Sequence, residues 1–473
     1  MNKNKVITLA TAAFWIVVLV AWHWYDPSKG FIAHQPGADN RPEGSARKAD
    51  EVVIGEYFMK YEVDATPEGT DVWPGFRGPN RNNIVTEKVA IKDGDFATMW
   101  SVETGEGHAA PAIWNGRVFV LDYIEQMNSD ALRCFDLKTG QELWRRWYRV
   151  TMKRNHGFSR TIPAIYNGKV VTIGPEGHVM CCDAISGDML WTMDMKQMFG
   201  SEIPFWYTGQ CPLITDDGTL VIAPSGTEIL MAGVDVEKGE MKWQTPNTPA
   251  FKMSHSSVMP MTLGGKKMLV YIGVGGTCGV SAEGTDAGQL LWTNTNWQPS
   301  VVAPSPLQIS NNQIFLVAGY GAGGAMLQVD KSGNSWKATI KEQYKANMGM
   351  SCEQQTPILY NDMLITVTPK DGGSLRERVV CFAPNDLHNP IWNSANDERF
   401  GLGPFVVLDN KLVVFKEDGE LYVYEIGNKN MKLLKKQRIM EEGIDAWGPM
   451  AYADGCLLVR DSKTIVCLEI SDK

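Results

Sequence analysis

The sequence predicts an all-β fold, an eight-bladed β-propeller of four-stranded antiparallel blades, carried behind an N-terminal transmembrane helix. Three observations predict it. A nine-residue pattern, Asp-x-x-x-Gly-x-x-x-Trp, recurs along the chain, and a proline followed four or five residues later by a turn pair recurs eight times. A single uncharged apolar run lies at the N-terminus. The 473 residues are 44% hydrophobic and 21% charged, which excludes disorder, collagen and coiled coil for the chain as a whole. The formal net charge of −9 leaves no global basic field to attract nucleic acid or anionic lipid.

Taken in order, the first element is a signal anchor over residues 1–25. Lys3 and Lys5 precede the apolar run Val6–Trp22, whose seventeen residues at ~1.5 Å each approach the thickness of a bilayer core. Trp22, Trp24 and Tyr25 sit where an interfacial aromatic belt belongs. The run ends in Ala21-Trp22-His23-Trp24, without the small-x-small pattern of a signal peptidase site, so an uncleaved anchor is preferred to a cleaved signal peptide. Either way the basic N-terminus stays inside and the remainder is exported. The expected location is the inner (cytoplasmic) membrane, single-pass, with the propeller on the periplasmic or extracytoplasmic side. Residues 26–71, rich in Pro, Gly and charge, read as a linker, although Glu51–Val63 is apolar enough to pack as a strand or short helix.

Residues 72–473 carry the repeats. Full patterns run from Asp136 to Trp144, Asp183 to Trp191 and Asp235 to Trp243, with looser copies ending at Trp292, Trp336 and Trp392. The prolines are Pro111, Pro163, Pro212, Pro260, Pro306, Pro357, Pro404 and Pro449, spaced 52, 49, 48, 46, 51, 47 and 45 residues apart. Turn pairs such as Asn115-Gly116 and Asn167-Gly168 supply the positive φ angles of tight hairpins, and β-branched runs such as Arg117–Asp122 flank them. Four strands in ~45–50 residues make one propeller blade. The last unit ends at Ile465–Ile470 without a Trp strand, whereas Phe96–Val102 is a spare Trp strand ahead of the first unit. Pairing the two closes the ring and hides both edges. The seventh unit has Leu433 where Trp is expected. Trp100, Trp144, Trp191, Trp243, Trp292, Trp336 and Trp392 are assigned to packing between blades rather than to a cofactor platform.

These repeats resemble those of the pyrroloquinoline-quinone-like propeller superfamily, with its A-x-D-x-x-x-G-x-x-x-W signature. Within it the chain is most similar to BamB-like exported propellers, and Trp73–Asn80 (WPGFRGPN) resembles the opening motif of many secreted members. The resemblance implies a non-catalytic protein-binding or scaffold module whose partners are cell-envelope proteins. One alternative it implies is a quinoprotein dehydrogenase acting on an alcohol or sugar with a calcium-bound quinone. A carbohydrate-binding propeller using Trp206, Tyr207 and Trp447 is a third reading. No cofactor or metal is assignable residue by residue, and serine elbows, Walker loops and HExxH motifs are absent.

Of the nine cysteines, Cys134, Cys182, Cys381 and Cys467 are read as one repeated small buried position just before the Asp turn. The vicinal Cys181-Cys182 resembles the vicinal disulfide of quinoprotein alcohol dehydrogenases but lies in a repeat strand, where packing is preferred. Cys211, Cys278, Cys352 and Cys456 show no metal-ligand spacing. The candidate binding site is the channel mouth, because residues just before each proline approach the channel. They are His108, His156, Arg160, Trp206, Tyr207, Gln210, His255, Ser256, Ser257, Glu353, Gln354, Gln355, Asp445 and Trp447.

Overall fold

The computed structural model describes residues 3–25 and 52–471. Lys3–Trp24 is one helix of 22 residues with no buried side chain, long and apolar enough to cross a membrane. The remainder forms a separate compact unit beginning at Val52. It is the propeller the repeats predict, with eight antiparallel blades of four strands each. In the first blade the strands are Ala112–Trp114, Arg117–Ile124, Ser129–Asp136 and Glu142–Arg149, in that order outward from the channel. The ring closes as the sequence requires. Ala97–Glu103 pairs antiparallel with Thr464–Glu469, placing Trp100 opposite Cys467.

The repeat pattern is a turn with a receiving surface. In Asp136, Asp183 and Asp235 the side-chain Oδ1 accepts the backbone N–H groups two and three residues on, at 2.7–3.1 Å. The backbone carbonyl of each Asp accepts the N–H of the glycine four residues on, Gly140, Gly187 or Gly239. Those glycines adopt φ of +70° to +78°, and a Cβ on any of them would lie within 3 Å of an indole ring. The ring in question belongs to the preceding blade. Trp100 covers Gly140, Trp144 covers Gly187, Trp191 covers Gly239 and Trp243 covers Gly288. Trp100 Nε1 and Trp191 Nε1 also donate to the carbonyls of Leu137 and Val236 beyond the contact. The blade-packing assignment of the tryptophans is thereby given a mechanism. It lapses after Trp292, whose Nε1 lies 3.3 Å from Met268 Sδ instead, and Trp336 packs back against Gly264.

Two expectations need correction. The repeated cysteine of the second blade is Cys181, not Cys182. Like Cys134 before Asp136, Cys181 lies two residues before its turn aspartate, so Cys181 faces Trp191 as Cys134 faces Trp144, and Cys182 falls opposite Met189. The stretch assigned to a linker contributes a strand, Tyr57–Lys60, which adds to the outer edge of the first blade. Its aromatic residues match an arginine-rich strand: Tyr57 stacks on Trp147, the Arg146 guanidinium lies 4.6 Å from the Phe58 ring, and Arg145 lies 5.6 Å from that of Tyr61. An exposed edge is thereby covered by the chain's own segment.

The opening motif acts as a plug. Trp73 bridges to Ile113 in the first blade, and the Pro74 carbonyl accepts from Ile165 N in the second. Arg81 Nη2 donates to Ile214 O in the third. Arg77 is buried and donates to Thr356 O at 2.7 Å and Pro357 O at 3.0 Å in the sixth. Ile84–Val85 then pairs in parallel beside Phe405–Leu408 of the seventh. A segment bonded to opposite sides of the ring crosses the channel and closes it at one end. Arg77 makes these bonds with carbonyls, and burial lowers its pKa to about 9.

Trp144→Ala is expected to cost about 3–5 kcal/mol, whereas Leu433→Ala, at an exposed site, costs well under about 1 kcal/mol; urea midpoints of the full chain in detergent measure both. Arg77→Ala, which strands buried carbonyls, should cost about 2–5 kcal/mol on the same assay. An unchanged midpoint would show that the plug does not stabilise the ring.

Candidate functional site

The end of the channel opposite the plug opens into a cavity of about 410 Å³, with Phe76 of the plug among its lining residues. Each wall comes from the stretch just before the innermost strand of a blade, or from a loop between strands. The first blade gives His108, the second His156 and Arg160, the third Trp206, the fourth His255 and Ser257. Tyr320 of the fifth, Glu353, Gln354, Gln355 and Lys370 of the sixth and Trp447 of the eighth complete the polar and aromatic wall. Ten of the fourteen sequence-selected residues therefore meet in one cavity.

The aromatic walls are paired. Trp206 stacks on Tyr320, with ring centres 5.8 Å apart and planes 12° apart, and His255 tilts toward the same indole at 6.2 Å. Trp447 stacks on His108 at 4.9 Å. Its position is fixed by Gln355 Nε2 donating to its carbonyl at 2.8 Å and by its own Nε1 donating to Glu417 Oε2 at 3.1 Å. Close approach of the third and fourth blades depends on Gly209, where a Cβ would stand 2.8 Å from that of His255.

Arg160 is the main electrostatic feature. Its guanidinium donates to the carbonyls of Asn155, His156 and Phe158 at 2.8–3.0 Å and forms no ion pair with a carboxylate among the described residues, and burial lowers its pKa to about 10. The cation acts on its neighbours. Burial first and Arg160 second hold His255 down to about 4; burial, then Arg460 and Arg160, hold His108 down to about 3. Both imidazoles are thus neutral at physiological pH, and their Nδ1 atoms lie buried without a close hydrogen-bond partner. On the opposite wall burial and then Asp371 raise the Glu353 carboxyl, with Lys370 opposing. The cavity offers stacked aromatic faces, neutral imidazoles and one guanidinium without a counter-ion.

Four selected residues lie elsewhere. Gln210 is fully buried and exchanges two hydrogen bonds with the Ala223 backbone, a strand-end role. Ser256 is buried beside Ser254. Tyr207 turns away, its hydroxyl donating to Lys153 O, and Asp445 lies outside the lining. Sequence reasoning missed Phe76, Tyr320 and Lys370. Tyr320 had a signal in the glycine run that follows it, and Phe76 in the opening motif.

The cysteine pair Cys181-Cys182 is remote from this cavity. Cys181 packs with Val171 and Val234 in the seam toward the third blade and Cys182 with Trp144 in the seam toward the first. Burial pushes both thiols up, that of Cys182 to about 12.

The depressed histidines predict an acid sensitivity of defined sign. The unfolded chain takes up a proton near pH 6.5 and the folded chain only near the lower values, so stability is full above about pH 6.5 and falls as pH drops toward 4. The urea midpoint should decline between pH 6.5 and 5, and His255→Gln should flatten part of that decline. A decline unchanged in both His108→Gln and His255→Gln would show that these imidazoles are not held neutral.

A Quinohemoprotein alcohol dehydrogenase of Comamonas testosteroni is 23% identical over 224 residues, 45% of this chain and 30% of that protein, so the chain matches under a third of its length. The solved structure of a quinohemoprotein alcohol dehydrogenase from the same organism superposes at a TM-score of 0.54 with 12% identity, covering 86% of this chain and 82% of that one. BamB from Moraxella catarrhalis superposes at 0.52, also with 12% identity, over 80% of this chain and all of that one. At such identities these structures bear on the fold alone. Residues 128–392, more than half of the sequence, match the family described as Outer membrane protein assembly factor BamB, and the chain belongs to that family of propellers.

Proposed function

We propose that the protein is a membrane-anchored, extracytoplasmic propeller that acts as a scaffold by binding a protein partner of the cell envelope at its channel mouth. The observation that carries this reading is the aromatic rim of a cavity plugged behind. Phe205 is 78% exposed and Tyr320 60% exposed, one on either side of Trp206, so large apolar surface faces solvent beside a concave site. Buried aromatic anchors in pockets are the commonest source of binding energy in protein interfaces. Family membership supports a binding role. The helix Lys3–Trp24, roughly 33 Å long, matches the bilayer core and supports the anchor.

The stretch shared with a quinohemoprotein alcohol dehydrogenase favours a second reading, a quinone-dependent oxidoreductase. The lining fits that cofactor poorly. Calcium takes 6–8 oxygen ligands, largely carboxylates, and the cavity lining contains one carboxylate, Glu353. Among the described residues no group of three or more His, Cys, Asp or Glu is placed to hold a metal. No reaction step is assigned to this cavity.

Photo-crosslinking from positions 205 and 320 in living cells tests the scaffold reading. Crosslinks to a discrete envelope protein are expected, with Trp206→Ala reducing its affinity about 30-fold, as for loss of an anchor worth about 2 kcal/mol. Carbonate extraction should leave the full chain in the membrane fraction. Absent crosslinks, together with saturable binding of pyrroloquinoline quinone and calcium and dye-linked alcohol oxidation, would replace this reading with the second.

A further inference from the structure

Outside the channel, one place in the ring gathers chemistry that neither packing nor the cavity uses. It lies at the closing seam, where the eighth blade meets the first. Cys456 Sγ is 3.6 Å from Met99 Sδ, and Cys467 Sγ is 4.0 Å from the same atom. The two cysteines lie diagonally across adjacent strands on the same face, Cys456 opposite Glu469 and Cys467 opposite Leu458. Three sulfur atoms thus share one small volume on three adjacent strands. Lys138, from the turn of the first blade, brings its Nζ to 3.8 Å from Cys456 Sγ.

The eighth blade differs here from the other seven. A bulge precedes the blade tryptophan in most blades, and the extra residue is Leu143, Leu190, Lys242, Leu291 or Ile391; in the closing strand it is Met99. A bulge re-aims its side chain. The residue just after the inner hairpin turn is Arg117, Lys169, Thr219, Lys266, Gln313, Met363 or Lys411 elsewhere, and Cys456 here. The repeat's small cysteine position is therefore joined by two sulfurs that the repeat does not call for.

We propose that Cys456, Cys467 and Met99 form a trigonal all-sulfur site for monovalent copper, with Lys138 as its charge-compensating neighbour. A metal bonded to three sulfurs at about 2.3 Å holds them roughly 4 Å apart in a trigonal plane, close to the 3.6 Å and 4.0 Å that separate Met99 Sδ from the two thiols. Thiolate and thioether donors together select Cu(I) over harder ions. Binding releases two thiol protons and changes no oxidation state. The two thiolates, the thioether and Cu(I) carry a net charge of −1, which the Lys138 ammonium balances. A direct disulfide is disfavoured by the register. Cys456 faces Glu469 and Cys467 faces Leu458, a diagonal pair whose Cα atoms stand about 7–8 Å apart, beyond ordinary disulfide reach. Access is short, since Lys138 is exposed and Met99 only partly buried.

Anaerobic titration of the reduced full chain in detergent with Cu(I), against a chromophoric Cu(I) chelator, tests this site. The expected result is one retained equivalent, thiolate-to-copper absorption, and three sulfur scatterers in X-ray absorption. Cys456→Ser and Cys467→Ser should each abolish retention, Met99→Leu should remove one sulfur scatterer, and Lys138→Ala should weaken binding about 10–100-fold. Cys381→Ser, at the repeat position of another blade, should change nothing. Failure of the reduced wild-type chain to retain copper against the chelator overturns the proposal. So does retention unaffected by both serine variants, or a scatterer count unchanged in Met99→Leu, a conservative variant expected to keep the fold. Mass spectrometry showing a Cys456–Cys467 disulfide as the stable air-exposed form would likewise overturn it.

Discussion

The contact on which the ring depends is an indole resting on a bare backbone. Each Asp turn bends the chain so that its glycine lies flat, and the tryptophan of the preceding blade covers that surface at a distance no Cβ permits. The arrangement couples a local rule to a global one. Aspartate and glycine set the turn within one blade, and tryptophan reads that turn from the next, so blade-to-blade rotation is set by repeated identical contacts. Where that contact is lost, in the fifth to seventh blades, apolar clusters such as that joining Ile365, Phe405 and Tyr422 take over.

Rigid stacking of the blades is what makes the channel mouth specific. The wall residues come from segments far apart in sequence, and some are held across blades. Trp447 of the eighth blade is fixed by Gln355 of the sixth and Glu417 of the seventh. Arg160 is caged by the carbonyls of its own loop and leaves its charge to the cavity, where it adds to the burial that keeps two nearby histidines neutral. The plug behind turns a through-channel into a blind pocket, so anything bound there enters from one side.

Much of this was legible in the sequence because propeller repeats write their geometry locally. The eight units of proline and turn pair set the blade number, and the spare Trp100 strand against the Trp-less final unit set the closure. The residues before each proline pointed to the cavity because every inner strand begins there. What escaped was non-local or depended on a single residue of register. Nothing in Glu51–Val63 says which blade edge it covers, since that is decided by pairing Tyr57 and Phe58 with an arginine-rich strand some ninety residues later. Gln210 and Ser256 sit in the right stretch but point into the blades, and of two adjacent cysteines the repeated one is Cys181, which faces Trp191. Tyr320 and Lys370 enter the cavity from loops between outer strands, which no proline marks.

The closing strand has a consequence for how the chain matures. Ala97–Glu103 emerges early and stays unpaired until Thr464–Glu469, more than 360 residues later, arrives to meet it. The plug similarly awaits the sixth and seventh blades for its Arg77 and Ile84 partners. Such distant pairings make folding slow and leave intermediates with open edges. Seven blades can stack as they appear, but the ring becomes a ring only when Thr464–Glu469 docks, so integrity of that strand is a checkpoint on the whole molecule.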